Sequence, residues 1–528
     1  MTNAIGEFED ADLFLVTGSN TTAQHPLIGT RMINAVQRGA ELLLIDPREV
    51  PLARFATLHL RQNIGTDVAV LNGMMNIIIE EGLYDKGFVA ERTEGFEALR
   101  TLVGRYSPAI VERITGIDRG DLEKAARMYA RADKAMIVYA MGITQHTTGT
   151  DNVKSCANLA MLTGHLGRPS TGVNPLRGQN NVQGACDMGA LPNVMSGYQP
   201  VADAAVRKKF EEAWGVSGLD EKPGLTIGEM MASALKGEVR ALYVMGENPM
   251  MSDPDTAHIE QALANLDFLV VQDIFLSETA AKADVVLPAA SFAEREGTYT
   301  NTERRVQLSR KAVEPPGSAR ADWEILCEVS RLAGYPMGYG SLAEVMKEIN
   351  RLTPSYAGIT YQRLEALHGL QWPCPNEEHP GTAYLHKDRF SKGKGTFWPC
   401  DFRPLAEVPD EEYSFVLTTG RDYFHYHTGT MTRRIGILDR EVPAARVEIH
   451  PDDAKRLGIR NQDMVEITSR RGSVKARAEV TPAVPPRVVF STFHFHESPI
   501  NALTNGALDP TAKIPEYKGC AVKVRRCA

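Results

Sequence analysis

Apolar residues near the start of the chain form two short runs on either side of a helical pattern. Leu13–Thr17 is predicted to be a buried strand and Pro26–Gln37 a helix. The next strand, 42–45, ends at Asp46, which follows the turn glycine Gly18 by 28 residues. This βαβ pattern is typical of a nucleotide site in which the turn approaches phosphate and the acid binds a ribose hydroxyl. Because G-x-G-x-x-G is absent, an ordinary structural βαβ unit fits equally well.

The same order of elements recurs in the middle of the chain. A predicted strand at 242–245 runs into Gly246, and a helix follows at 254–265. The strand at 268–271 leads to Asp273, 27 residues after that glycine. Two such crevices suggest two similar ligands, or one ligand with two nucleotide arms.

Further periodic segments complete the α/β pattern. A strand at 135–140 opens into residues 141–145, and helices are predicted at 67–82, 119–132 and 152–163. Alternating strands and helices of this length are typical of layered α/β domains. The first four hundred residues are therefore predicted to be α/β.

The pattern changes towards the C-terminus. Residues 352–411 are rich in Pro, Gly and charge and are predicted to be a long connection. Beyond them apolar and polar residues alternate with period two, and a brief helix at 452–457 ends at Gly458. The predicted strands are 414–418, 445–449, 464–467, 474–480 and 487–490. Short strands of this kind indicate a β-barrel.

Composition narrows the function classes. With 528 residues and 43% hydrophobic content, the chain should form two to four domains. A net charge of −8 gives no reason to expect a nucleic acid partner. The apolar runs have strand length, so no membrane span is predicted. Seven scattered cysteines without C-x-x-C argue against a disulfide scaffold, a zinc ribbon or a four-cysteine cluster within these residues and favour reduced thiols in the cytoplasm.

The segment 174–189 has the most specific composition. Its 16 residues hold five carboxamides and three glycines, with Arg177 as the single cation and Asp187 as the single anion. Carboxamides suit the edges of heterocycles, and glycines let a backbone approach a ligand closely. A lone guanidinium among neutral neighbours suits a small carboxylate. The segment therefore predicts a ligand site, with a Gly/Asn-rich surface turn as the alternative.

Several of these motifs together resemble a known family. In this order along the chain, the motifs are Gly18-Ser-Asn20, Asp46-Pro-Arg48, the segment 174–189, Gly246-Glu-Asn-Pro249, Val271-Gln-Asp-Ile274 and Thr428-Gly-Thr-Met-Thr-Arg433. They resemble molybdopterin oxidoreductases of the DMSO reductase type, and among these the catalytic alpha subunits of formate dehydrogenases. The resemblance covers essentially the whole chain.

The resemblance implies a fold and a cofactor. It implies two doubly wound, Rossmann-like α/β domains, at 1–180 and 181–405, followed by a double-psi-type β-barrel at 406–528. The second α/β domain would lack its N-terminal part. The cofactor would be molybdenum or tungsten held between two molybdopterin guanine dinucleotides.

The resemblance also implies site residues. Arg177 would hold the formate carboxylate, and no metal ligand is predicted within the chain. Pterin dinucleotide contacts from the α/β part would be Asn20, Asp46, Arg48, Met141, Gln145, Gln179, Asn248, Ser252, Gln272 and Asp322. Contacts from the barrel would be Arg421, His425, His427, Asn501, Tyr517 and Lys518. His425 with His427, and His494 with His496, also allow a metal site, which lacks clear further ligands.

Other residues typical of the family have no counterpart in this chain. These are a four-cysteine motif for a [4Fe–4S] cluster, a lysine after it, and a selenocysteine or cysteine that binds the metal beside a histidine. The chain is therefore predicted to be the C-terminal part of a larger subunit and inactive alone. One hypothesis is that a selenocysteine codon upstream was read as a stop, so that this sequence starts at the next methionine.

The predicted activity is oxidation of formate to CO₂, with electrons leaving through iron–sulfur centres. Expected partners are electron-transfer subunits of iron–sulfur, flavin/NAD or hydrogenase type. One alternative is a related molybdenum enzyme acting on nitrate or another oxyanion. Another is a non-catalytic scaffold subunit that binds the pterin without metal chemistry.

Overall fold

The computed structural model describes residues 1–527, which group into two compact units. The first unit comprises Met1–Leu176, Met251–Ala257 and residues 384–527, and the second comprises Arg177–Met250 and His258–Ala383. The chain crosses between them after residues 176, 250, 257 and 383, and the crossings at 250 and 257 fall within the helices Pro249–Ser252 and Thr256–Ala264. The predicted domain boundaries at residues 180 and 405 remain predictions.

A five-stranded sheet, here called the first sheet, organises the first unit. All its strands are parallel, as expected for a nucleotide-binding α/β domain. In spatial order they are Leu58–Leu60, Glu41–Ile45, Leu13–Thr17, Ala135–Tyr139 and Gly172–Pro175. The strands predicted at 13–17, 42–45 and 135–140 are thus confirmed, and Gly172–Pro175 is an additional edge strand.

Both faces of the first sheet are covered, because neighbouring residues of a strand point to opposite sides. Leu13 and Leu15 pack in one buried cluster with the helix Asp67–Glu80. Phe14 and Val16 pack in another with the helix Pro26–Gln37. This doubly wound arrangement explains why the central strand is apolar throughout.

Helices and short strands complete the α/β part of the first unit. The helices are Thr21–Gln24, Pro26–Gln37, Asp67–Glu80, Lys86–Arg92, Phe96–Val103, Pro108–Thr115, Arg119–Arg131, Met141–Thr144 and Gly149–Leu162. The short 3₁₀ helices here are Ile5–Asp10 and Pro51–Phe55. Thr93–Glu94 pairs with Gly395–Thr396 of the long connection, which returns to this unit and buries Phe397 and Cys400.

The C-terminal part of the first unit is a closed barrel of six strands. In spatial order these are Phe415–Gly420, Val488–Thr492, Arg446–Ile449, Ser473–Val480, Met464–Thr468 and Cys520–Arg526. Five match the predicted strands, and the sixth closes the barrel by pairing with Phe415–Gly420 and Met464–Thr468. The helices here are Gly436–Glu441 and Pro451–Leu457, with single turns at Thr432–Arg434 and Ile500–Leu503.

The second unit contains a three-stranded parallel sheet, here called the second sheet. Its strands are Ala241–Met245, Phe268–Asp273 and Val285–Pro288. Leu269 and Val271 pack against helices on one face. Tyr243, Met245 and Phe268 are 40%, 49% and 46% exposed, so the other face of the sheet carries large uncovered apolar side chains.

The remaining elements of the second unit surround a smaller apolar core. An antiparallel sheet joins Gly297–Thr300, Arg305–Ser309 and Leu370–Gln371. The other short strands are Val194–Met195 and Gln199–Pro200. The helices are Val182–Asp187, Ala204–Trp214, Ile227–Leu235, Asp322–Leu332, Leu342–Leu352 and Tyr361–Leu367, with single turns at Ser196–Tyr198, Ala280–Lys282 and Pro354–Tyr356. Among residues 1–527, no helix combines the length and the apolarity needed to span a bilayer.

Candidate pterin dinucleotide site

The carboxyl edge of the first sheet carries several predicted site residues. The strands that end at Thr17, Ile45 and Tyr139 are followed directly by the turns that hold Asn20, Asp46 and Met141. In parallel α/β sheets, ligands bind at this edge. The first sheet therefore gathers the predicted contacts of the βαβ units.

Two of these turns touch each other through glycine. The amide of Gly142 donates to the carbonyl oxygen of Gly18 over 2.9 Å. Gly18 has φ +55°, and a Cβ atom there would lie 2.6 Å from the Ile143 nitrogen. Only glycine permits this close approach, so the floor of the edge consists of backbone rather than side chains.

Arg48 is fixed by a carboxylate and an aromatic ring of the barrel. Its Nη2 lies 2.7 Å from Glu448 Oε1, and its Nε donates to Glu448 Oε2 over 3.3 Å. The guanidinium carbon lies 3.3 Å from the centroid of the Phe490 ring. Such a bidentate, stacked arrangement holds the guanidinium plane in one orientation.

Asp46 lies beside this group. Its Oδ1 accepts from the Arg48 amide over 2.9 Å. Burial raises the pKa of Asp46 to about 6, and the Arg48 amide and guanidinium oppose that rise. The carboxyl group can therefore change protonation close to neutral pH.

Lys518 and Arg421 complete what we call the basic cluster: Arg48, Arg421 and Lys518. Lys518 Nζ donates to the carbonyl oxygen of Thr419, and its amide donates to that of Gln145. Burial, followed by the nearby guanidinium groups of Arg421 and Arg48, lowers the pKa of Lys518 to about 7. Burial also lowers the pKa of Arg421. Positive charges that lie close together away from water are stabilised when an anion binds beside them, so the basic cluster favours an anionic ligand.

A second group of predicted residues surrounds the segment that begins at Met251. Asn501 Nδ2 donates to the carbonyl oxygens of Met251 and Ser252, each over 3.0 Å. The Tyr517 hydroxyl donates to the same Ser252 oxygen over 3.0 Å. The structure thus brings Ser252, Asn501 and Tyr517 together and links them to Lys518, the next residue in the chain.

Three barrel histidines, His425, His427 and His494, lie close together. His425 Nε2 lies 2.8 Å from the Val442 oxygen, and its ring lies 5.5 Å from that of His494. Burial lowers the pKa of His427 to about 4 and that of His494 to about 3. Within residues 1–527, no group of three or more His, Cys, Asp or Glu is arranged to hold a metal ion.

In the second unit, two of the predicted residues meet at the carboxyl edge of the second sheet. Gln272 Nε2 donates to Asp322 Oδ1 over 2.8 Å, and the Tyr243 hydroxyl donates to Gln272 Oε1 over 2.5 Å. Arg295 Nη2 lies 3.3 Å from Asp322 Oδ2. This cluster places the Asp322 carboxylate beside the carboxyl end of the strand Phe268–Asp273.

Asn248 has a structural role in its turn. Its Oδ1 accepts from the amide and the hydroxyl of Thr279 over 3.1 and 2.7 Å, and its Nδ2 donates to Glu278. These bonds fix the turn that follows the strand Ala241–Met245.

Arg177 and Gln179 lie on an exposed loop of the second unit. Arg177 Nε donates to Gln183 Oε1 over 3.1 Å, and its amide donates to the Thr302 hydroxyl over 3.1 Å. The guanidinium is therefore held from one side by a buried carboxamide. The backbone oxygen of Gln179 accepts from the Val182 amide.

The side chains present fit a large anionic heterocyclic ligand. Among the described residues, Asn20 Oδ1 and Asn501 Oδ1 are buried and have no hydrogen-bond partner. A buried acceptor without a donor costs about 1–3 kcal/mol, which a ligand amine or hydroxyl would recover. The basic cluster would at the same time bind phosphate. Asn20, Asp46, Arg48, Arg421, Asn501 and Lys518 would hold such a group.

Four residues that support predicted site residues, two in each unit, were not predicted from the sequence. Glu448, Phe490 and Tyr243 orient predicted residues, and Asp187 anchors the helix below Arg177. Of these four, only Asp187 could have been found from the sequence, because it is the single anion of the segment 174–189.

Two family models match this chain. The molybdopterin oxidoreductase model matches residues 1–332, and the molybdopterin dinucleotide-binding domain model matches residues 415–521. These ranges contain the first sheet with Asp46 and Arg48, and the barrel with Arg421 and Lys518.

Similar proteins extend over the whole chain. The F420-dependent formate dehydrogenase subunit alpha of Methanocaldococcus jannaschii is 52% identical over 530 residues, covering 100% of this chain and 78% of the relative. Formate dehydrogenase H of Escherichia coli is 43% identical over 533 residues, covering 100% of this chain and 74% of the relative.

A solved structure has the same fold. Acetylene hydratase from Pelobacter acetylenicus superposes with a TM-score of 0.79 and covers 98% of this chain and 78% of its own. The sequence identity is 21%, so this similarity shows the fold alone.

Proposed function

This chain belongs to the molybdopterin oxidoreductase family, and we propose on that premise that it is the catalytic alpha subunit of a formate dehydrogenase. The reaction is the oxidation of formate to CO₂, which releases two electrons and one proton. The bound molybdenum or tungsten cofactor supplies the two-electron acceptor. The chain binds that cofactor, orients formate and excludes water.

The basic cluster carries this proposal. Burial and the neighbouring guanidinium groups of Arg421 and Arg48 lower the pKa of Lys518, so this cluster of cations favours an anionic ligand. The dinucleotide arms of the cofactor carry phosphate. Arg421 and Lys518 neutralise phosphate, and Asp46 accepts from a ribose hydroxyl or guanine. In the second unit, Asp322 has the corresponding role, with Gln272 beside it.

Arg177 binds the formate carboxylate in this proposal. Its guanidinium presents a planar fork that matches a carboxylate, which an ammonium group cannot reproduce. The bond from Nε to Gln183 fixes the orientation of that fork. Gln179, two residues further along the same exposed loop, contacts the pterin in this proposal.

The test is turnover by the assembled enzyme that contains this chain. We expect formate to reduce an artificial dye through that enzyme and the chain alone to be inactive. Nitrate reduction without formate oxidation would instead assign the chain to the related oxyanion enzymes. Absence of both activities from an intact enzyme would support a scaffold subunit and overturn the proposal.

The electron acceptor and the location extend the proposal. The relatives that are similar over the whole chain include F420-dependent enzymes, so we propose that electrons pass to an iron–sulfur or flavin subunit. All seven cysteines are unpaired, which supports a reducing, cytoplasmic location.

Nucleotide binding by the basic cluster should depend on pH. Because the pKa of Lys518 is about 7, this amine is mainly neutral at pH 8 and takes up a proton when phosphate binds. We expect the affinity for guanosine diphosphate to rise about tenfold between pH 8 and pH 6.

Calorimetric titration of the chain at pH 6, 7 and 8 measures this dependence. Lys518→Met is the matched variant, because protonation of the nucleotide itself affects both proteins equally. An identical pH dependence in the variant would contradict the assigned role of Lys518.

A further inference from the structure

A buried carboxylate lies at the base of the loop that carries Arg177. Asp187 is 1% exposed and accepts four hydrogen bonds from neutral donors. Its Oδ1 accepts from Gln183 Nε2 and from the Tyr198 hydroxyl, each over 2.8 Å. Its Oδ2 accepts from the Tyr356 hydroxyl over 2.5 Å and from Trp372 Nε1 over 2.6 Å. Four donors satisfy a buried carboxylate without a cation beside it.

Gln183 connects this carboxylate to Arg177. It is 3% exposed and lies on the same face of the helix Val182–Asp187 as Asp187, four residues away. Its Nε2 donates to Asp187 and also to Tyr198, so its Oε1 must face the other way. That oxygen accepts from Arg177 Nε over 3.1 Å. The Asp187 carboxylate therefore determines that the Arg177 guanidinium contacts the oxygen, and not the nitrogen, of the Gln183 side-chain amide.

The tyrosines keep this direction fixed. Burial, followed by the charge of Asp187, raises the pKa of Tyr198 and Tyr356 above the ordinary value. Both hydroxyls remain protonated donors at neutral pH and cannot exchange roles with the carboxylate. An amide polarised by an anion is also a stronger acceptor at its oxygen.

We propose that Asp187, acting through Gln183, is the positioning residue that sets the orientation of the Arg177 guanidinium for binding a carboxylate. An exposed arginine samples many rotamers, and the contact with Gln183 selects among them before the substrate arrives. The inference rests on the proposed role of Arg177 in formate binding. Asp187 touches no substrate and acts only through the arginine.

A double-mutant cycle in the assembled enzyme tests this connection. Asp187→Asn replaces the carboxylate by an amide that can itself donate, so the side-chain amide of Gln183 is no longer held with its Nε2 towards position 187 and its Oε1 towards Arg177. Gln183→Glu places two carboxylates side by side. In the double variant the anion moves to position 183, where it faces Arg177, and the new amide at position 187 can donate to it while still accepting from Tyr356 and Trp372. We expect KM for formate to rise about tenfold in each single variant and to recover to within about threefold in the double variant.

A second readout does not depend on turnover. Phenylglyoxal modifies accessible arginines, and mass spectrometry of the digested chain gives the rate at Arg177. We expect Gln183→Leu, which leaves Asp187 with three donors, to accelerate that modification severalfold. Tyr339→Phe removes a hydroxyl-to-carboxylate bond to Glu348 in the same unit and serves as the control, with an unchanged rate.

The outcomes separate this inference from the proposed function. If the native enzyme oxidises formate and Arg177→Lys raises KM, but the cycle shows no coupling and the modification rate stays constant, the positioning role is wrong. If Arg177→Lys leaves KM unchanged, the assignment of Arg177 itself fails. Thermal unfolding of each variant identifies any that misfolds. If a member of the cycle misfolds, the modification rate of Arg177 in Gln183→Leu decides whether the positioning role is correct.

Discussion

Replacing Arg177 by lysine should reduce kcat/KM for formate by about tenfold to a hundredfold in the assembled enzyme. A charge-assisted hydrogen bond contributes about 1.5–3 kcal/mol, and the lysine ammonium cannot form the planar, two-pronged pair. Lysine also loses the Nε contact with Gln183 that holds the side chain in place. Steady-state kinetics over a range of formate concentrations gives the effect as the ratio of kcat/KM values.

Arg310→Lys is the matched control for this experiment. Arg310 is exposed in the same unit and pairs with Glu296 and Glu365, away from the segment 174–189. Surface ion pairs of this kind contribute little, so the control should retain native kinetics. Near-native kcat/KM in Arg177→Lys would remove this residue from the formate site.

Arg48→Met should produce the largest loss of stability. The guanidinium pairs with Glu448 and stacks on Phe490, and both charged side chains are more than four-fifths buried. Burial already raises the pKa of Glu448 above its ordinary value, and Arg48 is the main opposing influence. Removing one member of a buried ion pair typically costs about 3–5 kcal/mol because the other remains unpaired. Urea unfolding of the chain measures the change in free energy of unfolding.

The pair Arg48→Met and Glu448→Gln isolates the cause of that loss. We expect the double variant to recover part of the stability, because the buried charge is gone. It should still fail to retain pterin dinucleotide, since the cation is missing from the basic cluster. A double variant as unstable as Arg48→Met alone would place the loss in packing on Phe490 instead.

The first sheet could be predicted because its strands are short apolar runs bounded by turn residues. Leu13–Thr17 has buried residues on both faces, and Asp46 follows the next strand directly. Period-two alternation identified five strands of the barrel in the same way. The sixth, Cys520–Arg526, was not predicted, and its last two residues are exposed arginines.

Contacts between distant parts of the chain could not be predicted. Arg48 and Glu448 are 400 residues apart, and no local sequence pattern predicts their ion pair. The ring of donors around Asp187 likewise gathers Tyr356 and Trp372 from far along the chain. Such pairs are set by tertiary packing, whereas pattern and spacing report only local structure.

The family resemblance is confirmed by the matches over residues 1–332 and 415–521 and by relatives similar over the whole chain. The predicted site residues remain predictions. The structure gathers Asp46, Arg48, Arg421 and Lys518 in one cluster of the first unit, and Gln272 with Asp322 in the second. Arg177 lies on an exposed loop, and its buried contact with Gln183 was not expected.

Elemental analysis of the purified enzyme that contains this chain tests the cofactor assignment most directly. Stoichiometric molybdenum or tungsten, lost in parallel with pterin dinucleotide in the Lys518→Met variant, is the expected result. A folded, intact enzyme that contains neither metal would contradict a catalytic role for this chain and leave only a scaffold.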